Sequence, residues 1–260
     1  MNTTEDKIVK GDLMSIVATS DLHGYLPKVS EEFDIMFVCG DICPAHDHYY
    51  SFQIEYLKNE FVDYVNSLPF KNPWSKVVVV GGNHDFVFER LSETDLTELS
   101  LKTGGRLVIL KNEHYDFEYL TPEGEIKTLK IFGTPYCRII GNWAFILDNQ
   151  SLAKKYSVCD EDVDIIISHD SPDLNDLGTI HQAYYTQNVG NAPLAECVLR
   201  CKPQYVFCGH IHSGNHRLEL IEGTTTLAKN VSYVAESYYP YDEVVEVMKL
   251  YIEPKTKKGE

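Results

Sequence analysis

An α/β domain with two sheets is predicted by three observations. Five short apolar runs each end in glycine or serine and then aspartate or histidine, helical periodicity fills some gaps between them, and strand-like runs continue to the C-terminus. Runs that are apolar at nearly every position suit strands covered on both faces.

The first two runs are Ser15–Thr19 and Ile35–Cys39. Leu57, Phe61, Tyr64, Val65 and Leu68 then mark one face of a helix, closed by Pro69 and Pro73. Val77–Val80 follows, and a weaker helical pattern covers 89–101. Leu107–Leu110 and Thr128–Phe132 read as strands, with turns at Glu113 and Pro122-Glu123-Gly124. Val163–Ile167 is the fourth run; Leu194, Cys197, Val198 and Cys201 repeat the helical spacing before the fifth, Tyr205–Cys208. His216–Ile221 and Val244–Ile252 complete the expected strands. With no repeat and no Gly/Ser/Pro linker, residues 1–260 are expected to form a single domain, with flexible ends at about 1–10 and 254–260.

Hydrophobic residues at 43% and charged residues at 24% exclude a mostly disordered chain, despite a net charge of −16. No apolar run reaches the roughly 18–20 residues that cross a bilayer, so no membrane partner is expected. Met1–Lys10 lacks the basic-then-apolar order of an export signal, and seven scattered cysteines form no disulfide framework. Both point to a reducing compartment, and a cytoplasmic location is expected. Cys39 and Cys208 end apolar runs and are read as core. Cys197 and Cys201, four apart on a helix, could hold a metal; core packing is favoured because no second Cys/His pair has matching spacing.

In sheets of this kind, sites form where chain leaves the carboxyl ends of strands. Those ends carry Asp21, His23, Asp41, Asn83, His84, His169, His210 and His212. Oxygen and imidazole donors suit Mn, Fe, Zn or Ni. Eight are too many for one ion and suit two that share a carboxylate, the usual apparatus for in-line attack on phosphorus. Asp-x-His or Gly-Asp alone is weak, since a strand-end aspartate often caps a turn. The ordered set, each member at the end of an apolar run, is specific.

The pattern D-x-H, G-D, G-N-H-D, H and G-H-x-H over residues 15–212 resembles the calcineurin-like metallophosphoesterase family. Gly133-Thr134-Pro135-Tyr136, Asn142-Trp143-Ala144-Phe145 and Asn230-Val231-Ser232 are similar to its metallophosphoesterase-domain (239AB-like) branch of small phosphodiesterases. Ser168-His169-Asp170-Ser171-Pro172 departs from that branch's T-H-G-P-P at Asp170 and Ser171. The resemblance implies a four-layer α-β-β-α sandwich with two mixed sheets and a binuclear site at its edge. It also implies that Asp21, His23 and His212 hold one divalent ion and Asn83, His169 and His210 the other, with Asp41 bridging. His84 is then free to face the substrate.

The expected reaction is attack on phosphorus by a hydroxide between the two ions. His84 would act as general acid to the leaving alkoxide, with Asp85 orienting or charging its imidazole. A small phosphoester is the expected substrate, preferably a cyclic nucleotide or nucleotide second messenger. No Lys/Arg cluster borders the motifs, so a long nucleic acid is not expected. Phosphomonoesterase action uses the same apparatus and stands as the alternative. A non-catalytic scaffold is disfavoured because every motif position is present. The segment 170–191, with His181, Tyr184 and Tyr185, reads as loop packing or a lid. His46 and His48 read as surface or pocket residues, and Asp170 as an extra carboxylate beside a ligand. A homo-oligomer is compatible with the sequence.

Overall fold

A computed structural model of the chain describes residues 11–255 apart from Ala183, and within them the main strands build two mixed sheets. In the first, β1 (Asp12–Thr19), β2 (Ile35–Cys39), β3 (Lys76–Val80) and β4 (Leu107–Leu110) run parallel. The last strand, β11 (Met248–Ile252), pairs antiparallel with β1. The second comprises β5 (Glu113–Leu120), β6 (Ile126–Thr134), β7 (Ile165–Ser168), β8 (Tyr205–Cys208), β9 (Glu219–Leu220) and β10 (Leu227–Asn230). Its order is β9-β10-β8-β7-β6-β5, parallel through the middle and antiparallel at both edges.

Strand alternation sorts these side chains into layers. Ile35, Phe37, Cys39, Val78 and Val80 meet Ile131, Ile165, Ile167 and Phe207 between the sheets. Met36, Val38, Val77 and Val79 face the other way, onto Tyr56, Leu57, Phe61, Val65 and Leu99 of the helices. Phe132, Ile166 and Val206 of the second sheet pack on Leu152, Tyr156, Leu194 and Val198. The layers are therefore helix, sheet, sheet, helix.

Helix α1 (Tyr50–Tyr56) passes through a π-helical stretch, Leu57–Phe61, into α2 (Val62–Ser67). The single helix expected over 89–101 is two, α3 (Phe86–Arg90) and α4 (Glu93–Lys102). Ser92 divides them: its hydroxyl accepts from the Asp95 amide at 3.2 Å while the Asp95 carboxylate accepts from the Ser92 amide at 3.1 Å. The turn expected at Glu113 lies instead at Lys111–Asn112, with Asn112 at φ 67°. Glu113 opens β5, an edge strand that buries Phe117 and Tyr119 and leaves Asp116 and Glu118 outside. Helix α5 (Asn149–Tyr156), capped by the Asp148 carboxylate on the Ser151 amide at 3.0 Å, was not expected. α6 (Ala192–Cys201) lies where its periodicity predicts. Of His216–Ile221 only Glu219–Leu220 pairs, and Val244–Ile252 divides into Val244–Val245 and β11.

Of the ends expected to be flexible, 1–10 and 256–260 lie outside the described residues. Lys255 lies within them and is tied down. Its amide donates to Asp164 at 2.8 Å, and its Nζ donates to the carbonyls of Glu161 and Cys201. Among the described residues, no helix is long and apolar enough to cross a membrane.

Backbone bonds lace the carboxyl ends of β1, β2, β7 and β8 along one edge. The Asp21 amide donates to the Gly40 carbonyl at 2.9 Å, His23 to Asp41 at 2.8 Å, and Gly209 to His169 at 3.0 Å. The two sheets thus deliver their loops to one place.

Candidate metal centre

At that edge Asp41 Oδ2 lies 3.7 Å from His23 Nε2 and 3.5 Å from His169 Nε2. Asp21 Oδ1 is 3.4 Å from His212 Nε2, and Asp21, His23 and His212 form one compact trio of donors. On the other side His169 Nε2 is 2.9 Å from Asn83 Oδ1, and the His169 and His210 rings are 5.1 Å apart. All seven expected ligands thus come together, with Asp41 between the two sets. One sulfur was not anticipated: Cys137, buried, completes a group with His169 and His210.

The backbone is strained where the donors are placed. Asp21, His23, Asp41 and His210 all have positive φ, at 56°, 45°, 51° and 69°. Left-handed conformation costs a non-glycine residue roughly 1–2 kcal/mol, and such strain gathers at functional sites. Local bonds hold the arrangement. The His210 amide donates to both Asp21 oxygens, at 3.1 and 3.0 Å, and the Ser232 hydroxyl donates to Oδ2 at 2.7 Å. The His84 amide donates to Asp41 Oδ1 at 2.7 Å. Gly82 is required beside it, because a Cβ there would land on that oxygen.

The donors fit a cation. The Nδ1 of His169 lies 2.8 Å from the Cys39 carbonyl and that of His212 lies 3.1 Å from the Ala235 carbonyl. A carbonyl partner requires a proton on Nδ1, which leaves each Nε2 as the ligating nitrogen. Both ring nitrogens of His23 are buried without a hydrogen-bond partner. A buried polar group left unsatisfied is costly, and an ion at Nε2 would satisfy it. Burial lowers the His23 and His210 pKa to about 4, keeping both in the neutral, ligating form.

His169 differs: burial lowers its pKa, but the Asp41 charge and hydrogen bond outweigh this and raise it to about 10. Burial likewise lowers the pKa of His212, and Asp21 more than reverses that. In the ion-free chain the His169 imidazole carries a proton at pH 7 that a bound ion must displace. Metal binding at pH 7 is therefore expected to release protons and to tighten as pH rises toward 10, roughly tenfold per unit for each proton displaced. Calorimetry in buffers of different ionisation enthalpy measures this; an unchanged heat across buffers contradicts it.

Asp85 does not orient His84. Its carboxylate is fully buried and turned inward, accepting from the amides of Ile42 (2.9 Å), Cys43 (2.8 Å) and Gly82 (2.9 Å). It ties the loop after β2 to the loop after β3, which sets Asp41 against Asn83. Asp85→Ala leaves three buried donors without an acceptor and is expected to cost about 2–5 kcal/mol of stability in urea unfolding. A loss of turnover with unchanged stability would restore the catalytic role.

The partner of His84 is His48, whose Nε2 lies 3.2 Å from His84 Nδ1. Gln53 of α1 holds the same turn, donating to the His84 carbonyl at 2.7 Å and accepting from Val87 at 3.0 Å. The Trp143 ring lies tilted against His84 at 4.4 Å between ring centroids, and Tyr238 lies 4.7 Å from the His23 ring. With Ile140 and Glu236 they wall an open pocket of about 200 Å³ over Asp41, Asn83, His84, His210 and His212. His46 is exposed and packs on Phe52.

None of the described residues of the segment 170–191 lines this pocket. The segment carries a hairpin, Thr179–Gln182 with Tyr185–Asn188, and Tyr184 is fully exposed. Asp170 is buried, but it accepts from the Arg138 amide and the Asn191 side chain, both at 2.9 Å, and anchors the loops.

A profile of the calcineurin-like phosphoesterase family matches residues 14–214. The chain is 29% identical over 232 residues to a UPF0046 protein of Caenorhabditis elegans, covering 80% of this chain and 54% of that protein. It is 26% identical over 243 residues to human metallophosphoesterase domain-containing protein 1, covering 89% of this chain and 69% of that protein. The chain thus spans about half the length of the nematode relative. Phosphopantetheinyl hydrolase from Mycobacterium tuberculosis has a similar fold, with a TM-score of 0.51 at 16% identity over 96% of this chain and all of that one. With its motifs gathered at one sheet edge and the profile spanning most of its length, the chain belongs to the calcineurin-like phosphoesterase family.

Proposed function

We propose that this protein is a metal-dependent phosphoric ester hydrolase that cleaves a small phosphodiester, preferably a cyclic nucleotide or nucleotide second messenger. The observation that carries this reading is the position of Asp41 Oδ2 between the imidazoles of His23 and His169, where one oxygen can serve two ions. Asp21, His23 and His212 would hold one and Asn83, His169 and His210 the other, with Asp41 shared. Divalent Mn, Fe, Zn or Ni in these positions would acidify a water and neutralise phosphoryl oxygens.

The protein's own groups do the rest. His84 lines the pocket beside the donors with Nδ1 engaged by His48, so its ring is held for proton donation to the departing alkoxide. Trp143 and Tyr238 offer aromatic faces suited to a nucleobase. At about 200 Å³ the pocket admits the phosphoryl group and leaves the rest of the alcohol on the open side. Among the described residues no lysine or arginine lines it, and a net charge of −16 repels long polyanions, so a small ester fits better than a nucleic acid.

Parallel assays of Mn-loaded protein on bis-nitrophenyl and mono-nitrophenyl phosphate, followed by linear and cyclic nucleotides, test this. The diester and a cyclic nucleotide are expected to turn over faster. Preference for the monoester assigns a phosphomonoesterase instead, and inactivity on all of them with metal bound rejects the enzyme.

A further inference from the structure

On the far face of the second sheet, away from the metal centre, the fold adds Cys159 to the helical pair Cys197 and Cys201. All three side chains are almost fully buried, and their sulfurs lie within 4.8 Å of one another, with Cys159 and Cys201 at 3.6 Å. Around a trigonal ion with metal–sulfur bonds of about 2.3 Å, sulfurs lie about 4.0 Å apart. The trio already has the spacing that a shared thiophilic ion requires.

Two cations flank it. Arg200 donates to the carbonyls of Cys159 at 2.9 Å and Tyr156 at 3.0 Å, and its NH2 lies 3.8 Å from Cys197 Sγ. Lys255 Nζ donates to the Cys201 carbonyl at 2.8 Å. Cys201 is the member most ready to ionise: bonds from Cys159 and Cys197 lower its pKa against burial, and Arg200 and Lys255 add to the effect, whereas Cys159 and Cys197 are raised and would give up their protons only to the ion. Buried thiolates need such compensation. Among the described residues no histidine, carboxylate or fourth cysteine joins the group.

We infer that Cys159, Cys197 and Cys201 form a second, thiolate metal site that takes one soft d10 cation, Cu(I) before Zn(II). Three sulfurs without a fourth donor suit trigonal coordination, and soft thiolates select Cu(I). The charge agrees. Three thiolates around one monovalent ion leave net negative charge, and Arg200 and Lys255 are the cations placed to offset it, Lys255 being shared with the Asp164 and Asp162 carboxylates.

The probe is Cu(I) in acetonitrile, titrated anaerobically into the reduced protein. Near-ultraviolet thiolate-to-copper absorption is expected to saturate at one equivalent, and copper-edge X-ray absorption to show three sulfur neighbours. Nitrogen and oxygen donors at the catalytic edge give no such band, and the sulfur beside them, Cys137, is controlled for by its own serine variant. Cys201→Ser and Cys159→Ser should each lose it, whereas Cys137→Ser and Asp41→Asn should keep it. No band in the wild-type protein, fewer than three sulfur neighbours, or a band lost in Cys137→Ser but kept in Cys201→Ser overturns the proposal. The wild-type spectra decide the matter if the serine variants do not fold.

Discussion

Asp41→Asn is expected to abolish binding of both catalytic ions and to lower turnover by far more than the roughly 10–100-fold that follows loss of an outer partner of a metal site. The two substitutions most easily confused with it should remove only one ion each. His212→Ala takes a donor from the Asp21 and His23 set, and His169→Ala takes one from the Asn83 and His210 set. Asp41 differs because Oδ2 faces His23 and His169 together, while Oδ1 is occupied by the His84 amide at 2.7 Å. Its pKa is raised by burial but pulled well below the ordinary value by the His169 charge, so it is a carboxylate at any working pH. Asparagine keeps the shape and one acceptor but loses the charge that two cations need. It also leaves His169 without the anion that holds its proton, so the variant's response to pH should change too. Metal analysis of the gel-filtered variants, alongside activity, measures both effects. Two ions bound per chain in Asp41→Asn would mean that Asp41 does not bridge.

The candidate ligands were legible because each closely follows a strand, and a short motif at a strand end keeps its meaning wherever the strands are placed. The walls of the pocket were not. His48 meets His84 only because the loop after β2 folds back over the turn after β3, and Gln53 reaches that turn from a helix that periodicity placed later, at Leu57. Asp85 misled because a neighbour in sequence is not a neighbour at the site. The turn that presents Asn83 and His84 outward sends the next side chain inward, to three amides. The cysteines teach the same lesson in reverse. Cys197 and Cys201 lacked a partner in sequence, and Cys159 joins them only through the packing of α5 and α6. In the fold, β5 escaped because an edge strand with one solvated face carries Asp116 and Glu118 among its apolar residues.

His84→Ala is expected to keep its metals and lose about 10²–10⁴-fold in turnover on esters with poor leaving groups, the usual worth of a placed general acid. The loss should shrink toward none on nitrophenyl esters, whose departing oxygen needs no proton. The His84 ring makes no ion pair with Asp21 or Asp41, unlike those of His23, His169 and His212; its Nδ1 is turned to His48 and its face to Trp143. Removing the ring therefore spares the donors, while the backbone amide that holds Asp41 remains in alanine. His48→Phe provides the graded control. It removes the bond at Nδ1 and frees the His84 ring to rotate, so turnover on poor leaving groups should fall by less than in His84→Ala, with the same dependence on the leaving group. In the double variant the His48 change should add nothing further, since a residue that acts by holding His84 has no work to do once the imidazole is gone. A plot of log kcat/KM against leaving-group pKa separates the roles: steep for His84→Ala, intermediate for His48→Phe and shallow for wild type. Parallel lines for all three would remove His84 from proton transfer and leave it a pocket wall.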